Sequence, residues 1–181
     1  MKIKKRFWEK FEKNKKGQQI LGLSFGVIFS IILIVFFIFI AIIVINSFLK
    51  AQGCAKVGLF IDDLEADVKK SWNSQTDSHV FKGLLPSGIM YVCFADLSKS
   101  FIGNINNDEI WRSISLYEGK NANMFFYPTG ESCEMPYKNI EHLDIEDITM
   151  FENPYCIAVD RGRINIKVGK KLNNRFVGIE R

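Results

Sequence analysis

Four cysteines are the residues of this 181-residue chain whose types and spacing most readily suggest chemistry. They are Cys54, Cys93, Cys133 and Cys156, and no two of them are closer than 23 positions. Zinc sites usually use closely spaced cysteines or a nearby pair of histidines, so this spacing disfavours a metal centre. Four cysteines fit two disulfides, with four free buried thiols as the alternative. Three pairings are possible, and we favour Cys54–Cys93 with Cys133–Cys156 because close neighbours in the sequence meet most easily.

The remaining candidates for chemistry are sparse. His79 and His142 stand 63 positions apart with no obvious cysteine or carboxylate constellation around them. The sequence contains no H-E-x-x-H pair, no Gly-rich phosphate loop and no G-x-S-x-G elbow. Glu141, Asp144, Glu146 and Asp147 form an acidic cluster, which we interpret as a solvated face rather than a cation or partner site. We therefore predict a protein that is not an enzyme and that carries no cofactor.

The charges of the chain are concentrated at one end. Residues 1–17 hold eight basic and two acidic side chains, whereas residues 18–181 hold the other 16 basic and 18 acidic ones. No charged residue lies between Lys16 and Lys50. This distribution excludes a wholly soluble domain. It also disfavours nucleic acid as a partner, since the basic excess sits on a short terminal segment instead of a folded surface.

The uncharged segment has the length and composition of a transmembrane helix. Residues Ile20 to Ile45 are apolar apart from two glycines and two serines, and as a helix they would span roughly 39 Å. A hydrocarbon core is about 30 Å thick, and membrane lipid is therefore the first expected partner. Because the basic residues precede the segment, we predict a single-pass protein of the cell membrane with a cytoplasmic N-terminus and the C-terminal domain outside. A cleaved secretory signal is the alternative, although its apolar region would be shorter.

The predicted fold class is α+β, with one long N-terminal helix followed by a small antiparallel sheet. We divide the chain into a basic cytoplasmic leader (1–17), a transmembrane helix (18–49), an amphipathic helical extension (50–73) and a disulfide-stabilised, β-rich exported head (74–181). The extension is indicated by apolar residues at helical spacing. These are Val57, Phe60, Ile61, Leu64, Val68 and Trp72.

Within the head, short β-prone runs alternate with turns. We predict strands at residues 89–94, 124–127, 156–159, 164–168 and 176–179, and a short helix that begins at Asn107 and closes at Gly119. Asn73 to Ser78 and Leu85 to Gly88 are predicted to be loop and turn.

The junction before the apolar segment resembles a known processing site. Lys15, Lys16, Gly17, Gln18 and Gln19 stand immediately before the span. This arrangement is similar to the class III signal peptides of archaeal type IV pilin-like proteins, in which a membrane peptidase cuts after the glycine and leaves the helix on the mature protein. The resemblance implies cleavage between Gly17 and Gln18 and covers roughly residues 1–49. The chain also looks like uncharacterised single-pass archaeal membrane proteins, a resemblance that implies no function. The alternative to cleavage is a polar helix flank that is never cut.

The resemblance implies a structural or assembly subunit as the function. Its partners would be the leader peptidase and other pilin-like subunits. Gly22, Gly26 and Ser30 recur every four residues, a spacing that lets two helices approach closely in lipid and suits self-association. The fifth position after the expected cut is Gly22, where many pilins carry a glutamate that contacts a neighbouring subunit, so the chain departs from the pilin pattern there. The alternative is an uncleaved, membrane-anchored binding protein of the cell envelope.

Overall fold

The computed structural model describes residues 16–103 and 105–180, without the side chains of residues 16–24, 105 and 106. The leader residues 1–15 lie outside this description, as do the side chain of Gln18 and the surroundings of Gly17 and Gly22. The chain divides into two compact units, residues 1–49 and 50–181.

One helix, α1 (Lys16–Trp72), contributes to both units. In the second unit the residues predicted to form its apolar stripe are buried, apart from Trp72, which is partly buried against the core. The helix continues through Gly53 and Gly58 and ends one residue before the predicted Asn73. An amphipathic extension is therefore present, because residues three and four apart share one face of the helix and that face is covered by the head.

The first sheet of the head has three antiparallel strands in the order β1-β6-β7. These strands are β1 (Asp77–Leu84), β6 (Arg163–Lys170) and β7 (Gly178–Glu180). Alternate residues of β6, namely Ile164, Ile166 and Val168, are buried, and the intervening ones are exposed. This period of two gives the sheet one face toward the core and one toward solvent.

The second sheet has four antiparallel strands in the order β4-β3-β2-β5. They are β2 (Tyr91–Phe94), β3 (Met124–Tyr127), β4 (Tyr137–Lys138) and β5 (Tyr155–Ala158). Two short helices complete the head, α2 (Ile105–Ile114) and α3 (Ile145–Ile148), with 3-10 turns at Ser115–Tyr117 and Thr129–Ser132.

Residues of the second sheet contribute to two clusters of buried side chains. Val92, Phe94 and Phe126 join the main core with residues of α1 and of the first sheet. Cys93 and Phe125 instead join Ile110 and Ile114 of α2 in a smaller cluster. Successive strand residues point to opposite faces, so continuous apolar runs such as residues 124–126 are what a sheet covered on both sides requires.

The structure confirms the predicted fold class, a long apolar N-terminal helix followed by antiparallel sheets. Five predicted strands correspond to β2, β3, β5, β6 and β7 with shifts of a few residues at their ends. The helix predicted from Asn107 to Gly119 corresponds to α2 and the 3-10 turn after it, and Gly119 has a positive φ of 81°. The loop predicted at residues 73–78 was wrong at its end, because β1 begins at Asp77.

Candidate functional site: an apolar helix, two disulfides and a charged helix–strand junction

The first part of α1 exposes an uninterrupted apolar surface. Among the described residues this helix alone is long and apolar enough to cross a membrane, and none of its most apolar 18-residue window is buried. Phe25, Phe37 and Phe39 are 73%, 63% and 63% exposed. A soluble protein rarely leaves an apolar patch of this extent uncovered. The segment therefore fits a membrane anchor.

Of the three residues predicted to form a helix-contact face, the structure describes the surroundings of Gly26 and Ser30. Ser30 Oγ donates a hydrogen bond to the Gly26 carbonyl at 2.8 Å, so this hydroxyl is satisfied within its own helix. A Cβ added to Gly26 would meet no atom within 4 Å. This open space is what any residue of an uncovered helix segment has, so the helix-contact face stays a prediction.

All four cysteines form disulfides, but the predicted pairing was wrong. The bonds are Cys54–Cys133 and Cys93–Cys156, not Cys54–Cys93 and Cys133–Cys156. Cys93 and Cys156 are direct partners in the β2/β5 register. Cys54 lies on α1 and Cys133 follows the 3-10 turn Thr129–Ser132.

Sheet register explains the correction. A doubling of loop length adds only about 0.6 kcal/mol of closure entropy, so the preference for close neighbours is weak. Strand pairing that brings residues 93 and 156 to a Cα–Cα distance of 4.0 Å easily outweighs it. Two disulfides are typical of domains that fold in an oxidising compartment, and they fit an extracellular head.

A junction between α1 and β1 gathers polar side chains that the sequence analysis treated as isolated. His79 Nε2 lies 2.7 Å from Asp67 Oδ2 on α1, and His79 Nδ1 lies 3.3 Å from Asp77 Oδ2 at the start of β1. Ser71 Oγ donates to that same Asp77 oxygen at 2.7 Å. Lys170 Nζ from β6 donates to the carbonyl oxygens of Trp72 and Ser74. These contacts fasten the end of the long helix to the first sheet.

Neighbouring side chains shift the pKa values of His79 and Asp77. The hydrogen bond to Asp67 raises the pKa of His79 above its ordinary value, burial opposes the rise, and the charges of both aspartates add to it. The hydrogen bond from Ser71 is the main reason that the pKa of Asp77 lies below its usual value. The junction thus favours the protonated imidazole of His79 and the ionised carboxylate of Asp77.

This geometry does not prepare a nucleophile or a metal site. In a serine hydrolase the serine donates to the imidazole, which then takes its proton, whereas Ser71 donates to Asp77. Both ring nitrogens of His79 face carboxylates, so the imidazole offers no lone pair to a metal ion. Within the described part of the chain, no group of three or more His, Cys, Asp or Glu side chains could hold a metal ion.

The second histidine and the acidic cluster have structural contacts. The ring of His142 stacks on Trp72 with a centroid distance of 3.8 Å and an interplanar angle of 6°. Asp144 accepts a hydrogen bond from the Asp147 amide and so caps α3, and Glu146 lies 3.2 Å from Lys99 Nζ. Glu141, Glu146 and Asp147 are nevertheless exposed, which confirms the predicted solvated face.

No protein-family model, curated protein or solved structure matches the chain.

Proposed function

We propose that the protein is a single-pass membrane protein whose disulfide-bonded head is exported, and that it serves as a type IV pilin-like structural or assembly subunit. The observation that carries the proposal is that the two parts of α1 have different environments. The exposed, apolar first part suits lipid, while the second part supplies buried residues to the core of the head.

Insertion of the apolar run into a bilayer is strongly favourable. Fourteen of the fifteen residues from Ile31 to Ile45 are Leu, Ile, Val or Phe. At about 0.3–0.6 kcal/mol for each such residue, insertion of this run is favoured by roughly 4–8 kcal/mol. Helical geometry satisfies the backbone hydrogen bonds, as lipid requires. We place the N-terminus inside and the head outside, since the eight basic residues before the span hold the leader at the cytoplasmic surface.

We further propose that the leader is removed between Gly17 and Gln18. The support is the position of this glycine between a lysine-rich segment and the apolar span. The cleaved helices would then associate in the membrane, with Gly22, Gly26 and Ser30 on the contact face. Small side chains at this spacing let two helices approach closely in lipid.

The cleavage is tested by the mass of the chain purified from its native membrane. The proposal requires an N-terminus at Gln18. Gly17→Leu should block processing and leave the chain starting at Met1, whereas Gly22→Ala, five residues downstream, should not. A wild-type chain that begins at Met1 would contradict cleavage.

An uncleaved, membrane-anchored binding protein is the second candidate. It is favoured by Gly22, which stands where many pilins carry glutamate. This candidate keeps the same topology and the same non-enzymatic role, but it predicts an intact leader and no recovery of the head in shed filaments. Intact mass together with analysis of the sheared fraction separates the two.

A further inference from the structure

A pair of glycines leaves a gap in the outer face of the first sheet. Gly169 of β6 and Gly178 of β7 are direct partners in the ladder, and so are Lys167 and Glu180, two residues further along it. Residues two apart on a strand share a face, so both glycines lie on the same face as Lys167 and Glu180. Lys167 is exposed, whereas the intervening residues of both strands are buried in the core. The glycine pair is therefore a patch of the outer face without side chains.

This patch forms the floor of a cavity of about 340 Å³. Its walls come from three segments of the second unit: Asp147 and Phe151 from α3 and the residues after it, Lys171 and Asn174 from the turn after β6, and Glu180 from β7. The volume lies within the range of small-molecule sites, about 300–1,000 Å³, at its lower end.

Two carboxylates reach over the floor, one beside each glycine. A Cβ added to Gly169 would lie 2.6 Å from Glu180 Oε1, and one added to Gly178 would lie 3.9 Å from Asp147 Oδ2. The other oxygen of Glu180 lies 2.9 Å from Lys167 Nζ, which holds the carboxylate in place. The glycines thus leave room for two carboxylates, which offer hydrogen-bond acceptors to a ligand in the cavity.

The remaining walls add donors and an aromatic ring. Lys171 supplies an ammonium donor, and the Asn174 amide can both donate and accept. Phe151 lines the cavity and is 67% exposed. The face of an aromatic ring carries partial negative charge and attracts the weakly positive C–H groups of a ligand. The cavity therefore combines acceptors, donors and an apolar platform.

The charges around the cavity cancel. Asp147 and Glu180 are balanced by Lys171 and by Lys167, the ion-pair partner of Glu180. Described charged residues that adjoin the lining residues in the sequence add two of each sign, namely Glu146, Glu152, Lys170 and Arg175. A site without net charge favours a neutral ligand, since an ionised one would lose hydration without gaining an opposite charge. Hydroxyl groups, which both donate and accept, match this mixed set of partners.

We propose that this cavity binds one ring of a neutral saccharide. Hydroxyls of the sugar donate to Asp147 and Glu180 and accept from Lys171 and Asn174, while a C–H face of the ring packs on Phe151. The glycine floor lets the ring approach the sheet backbone closely. This site goes beyond the proposed anchoring and assembly, because it gives the head a ligand that involves neither the leader nor the apolar span.

Titration of the full chain with sugars, followed by the amide NMR signals of its glycines, tests the proposal. The chain is kept in a zwitterionic detergent, because maltoside detergents would themselves compete for the site. D-glucose, D-galactose, D-mannose and N-acetylglucosamine are each added to millimolar concentrations. At least one sugar should shift the signals of Gly169 and Gly178 in a saturable way and leave that of Gly119 unchanged. No saturable shift at the glycine pair with any of the four sugars would overturn the proposal.

Gly178→Ala fills part of the cavity floor without straining the fold. The added Cβ would meet the Gly169 carbonyl oxygen at 3.7 Å and Asp147 Oδ2 at 3.9 Å, which are ordinary van der Waals distances. The variant should keep its thermal stability but bind the sugar several-fold more weakly, as measured at Gly169. Gly130→Ala, whose Cβ meets no atom within 4 Å, is the matched control and should bind like the wild type. Equal affinities of the two variants would contradict binding in this cavity.

Two pairs of substitutions test the chemistry of the walls. Asp147→Asn keeps the shape of the side chain and should weaken sugar binding roughly tenfold, because hydrogen bonds to charged groups are the strong ones. Glu146→Gln removes the same charge one residue outside the lining and should have no effect. Phe151→Ala should weaken binding several-fold, whereas Met150→Ala should not. All four residues are exposed, and sugar binding that survives both Asp147→Asn and Phe151→Ala would overturn the proposal.

Methylguanidinium is the competing probe, because a guanidinium group can bind carboxylates beside an aromatic ring. Shifts at the glycine pair with methylguanidinium and with no sugar would overturn the saccharide proposal. Sugar binding in detergent requires neither membrane insertion nor cleavage of the leader. Failure of the saccharide site is thereby distinguished from failure of the proposed function.

Discussion

His79 Nε2 lies 2.7 Å from Asp67 Oδ2, and this contact joins the second part of α1 to β1, the first strand of the head. A second carboxylate, Asp77, stands on the other side of the imidazole. The second part of α1 also supplies buried residues to the core of the head. The junction therefore helps to hold β1 against α1.

The junction should make the stability of the head depend on pH. The pKa of His79 is raised, so its stabilisation is complete below about pH 6.5 and is lost as the pH rises through the folded-state value. The pKa of Asp77 is lowered, so its stabilisation is present above about pH 4 and is lost as the pH falls through its folded-state value. Stability from the junction should thus be greatest between about pH 4 and 6.5.

A double-mutant cycle of Asp67→Asn and His79→Gln, measured by denaturant unfolding of the full chain in detergent, isolates this effect. The coupling free energy should be present at pH 5.5 and should decrease toward pH 9. The matched cycle uses Glu65 and Lys138, whose charged atoms are 3.2 Å apart and which contain no imidazole. A His79–Asp67 coupling that stays constant with pH, like that of the control pair, would refute the account.

The disulfide connectivity gives a second prediction. Digestion without reduction should yield one linked peptide containing Cys54 and Cys133 and another containing Cys93 and Cys156. Replacing either pair by alanine should lower the free energy of unfolding by about 4 kcal/mol, because each bond closes a loop of more than sixty residues. Linked peptides that join Cys54 to Cys93 would show that the sheet register described above is incorrect.

Gly83 supplies a test of the packing between α1 and β1. A Cβ at this position would overlap the ring of Phe60, which is 2% exposed and held in the core. Gly83→Ala should therefore destabilise the head by roughly 1–3 kcal/mol. Adding Phe60→Leu should recover part of the loss by making room.

Gly58→Ala is the control for this substitution, since a Cβ there meets no atom within 4 Å and lies in a helix. It should raise stability by up to about 1 kcal/mol. Equal effects of the two alanines in thermal unfolding would mean that β1 does not pack on Phe60 as described.

The anchor can be tested by placing charge in the apolar run. Ile34→Arg with Ile38→Arg should cost roughly 5–7 kcal/mol of insertion free energy, comparable with the whole favourable term. The double variant should move from the membrane to the soluble or aggregated fraction on alkaline extraction. Leu116→Arg with Leu172→Arg changes two exposed residues of the head, 81% and 65% accessible, and should stay in the membrane. Retention of both variants would contradict the assignment of this segment as the anchor.

Periodicity predicted much of the fold because it reflects burial directly. The apolar spacing from Val57 to Trp72 identified the helical extension, and the alternation from Ile164 to Val168 identified β6. β1 was missed because Gly83 and the polar residues at its start weaken the strand signal. The segment is a strand because it pairs with β6 along its whole length. Local propensity carries no information on such a long-range partner.

The same limit explains the errors at the candidate site. Cys93 pairs with Cys156 because β2 and β5 are neighbours, a fact of sheet order that spacing along the chain does not contain. His79 seemed isolated because Asp67 is twelve positions away, on the far side of a helix terminus. The sequence did contain a signal for the Asp77 contact. In a strand, residues two apart such as Asp77 and His79 have their side chains on the same face.

The most direct test of the central claim, a head exported on a membrane helix, is protease accessibility in intact spheroplasts. Protease added from outside should digest residues of the head beyond Lys50 and leave a membrane-protected fragment that contains the apolar run. Digestion of the head only after the membrane is permeabilised, or recovery of the untreated chain in the soluble fraction, would contradict the account.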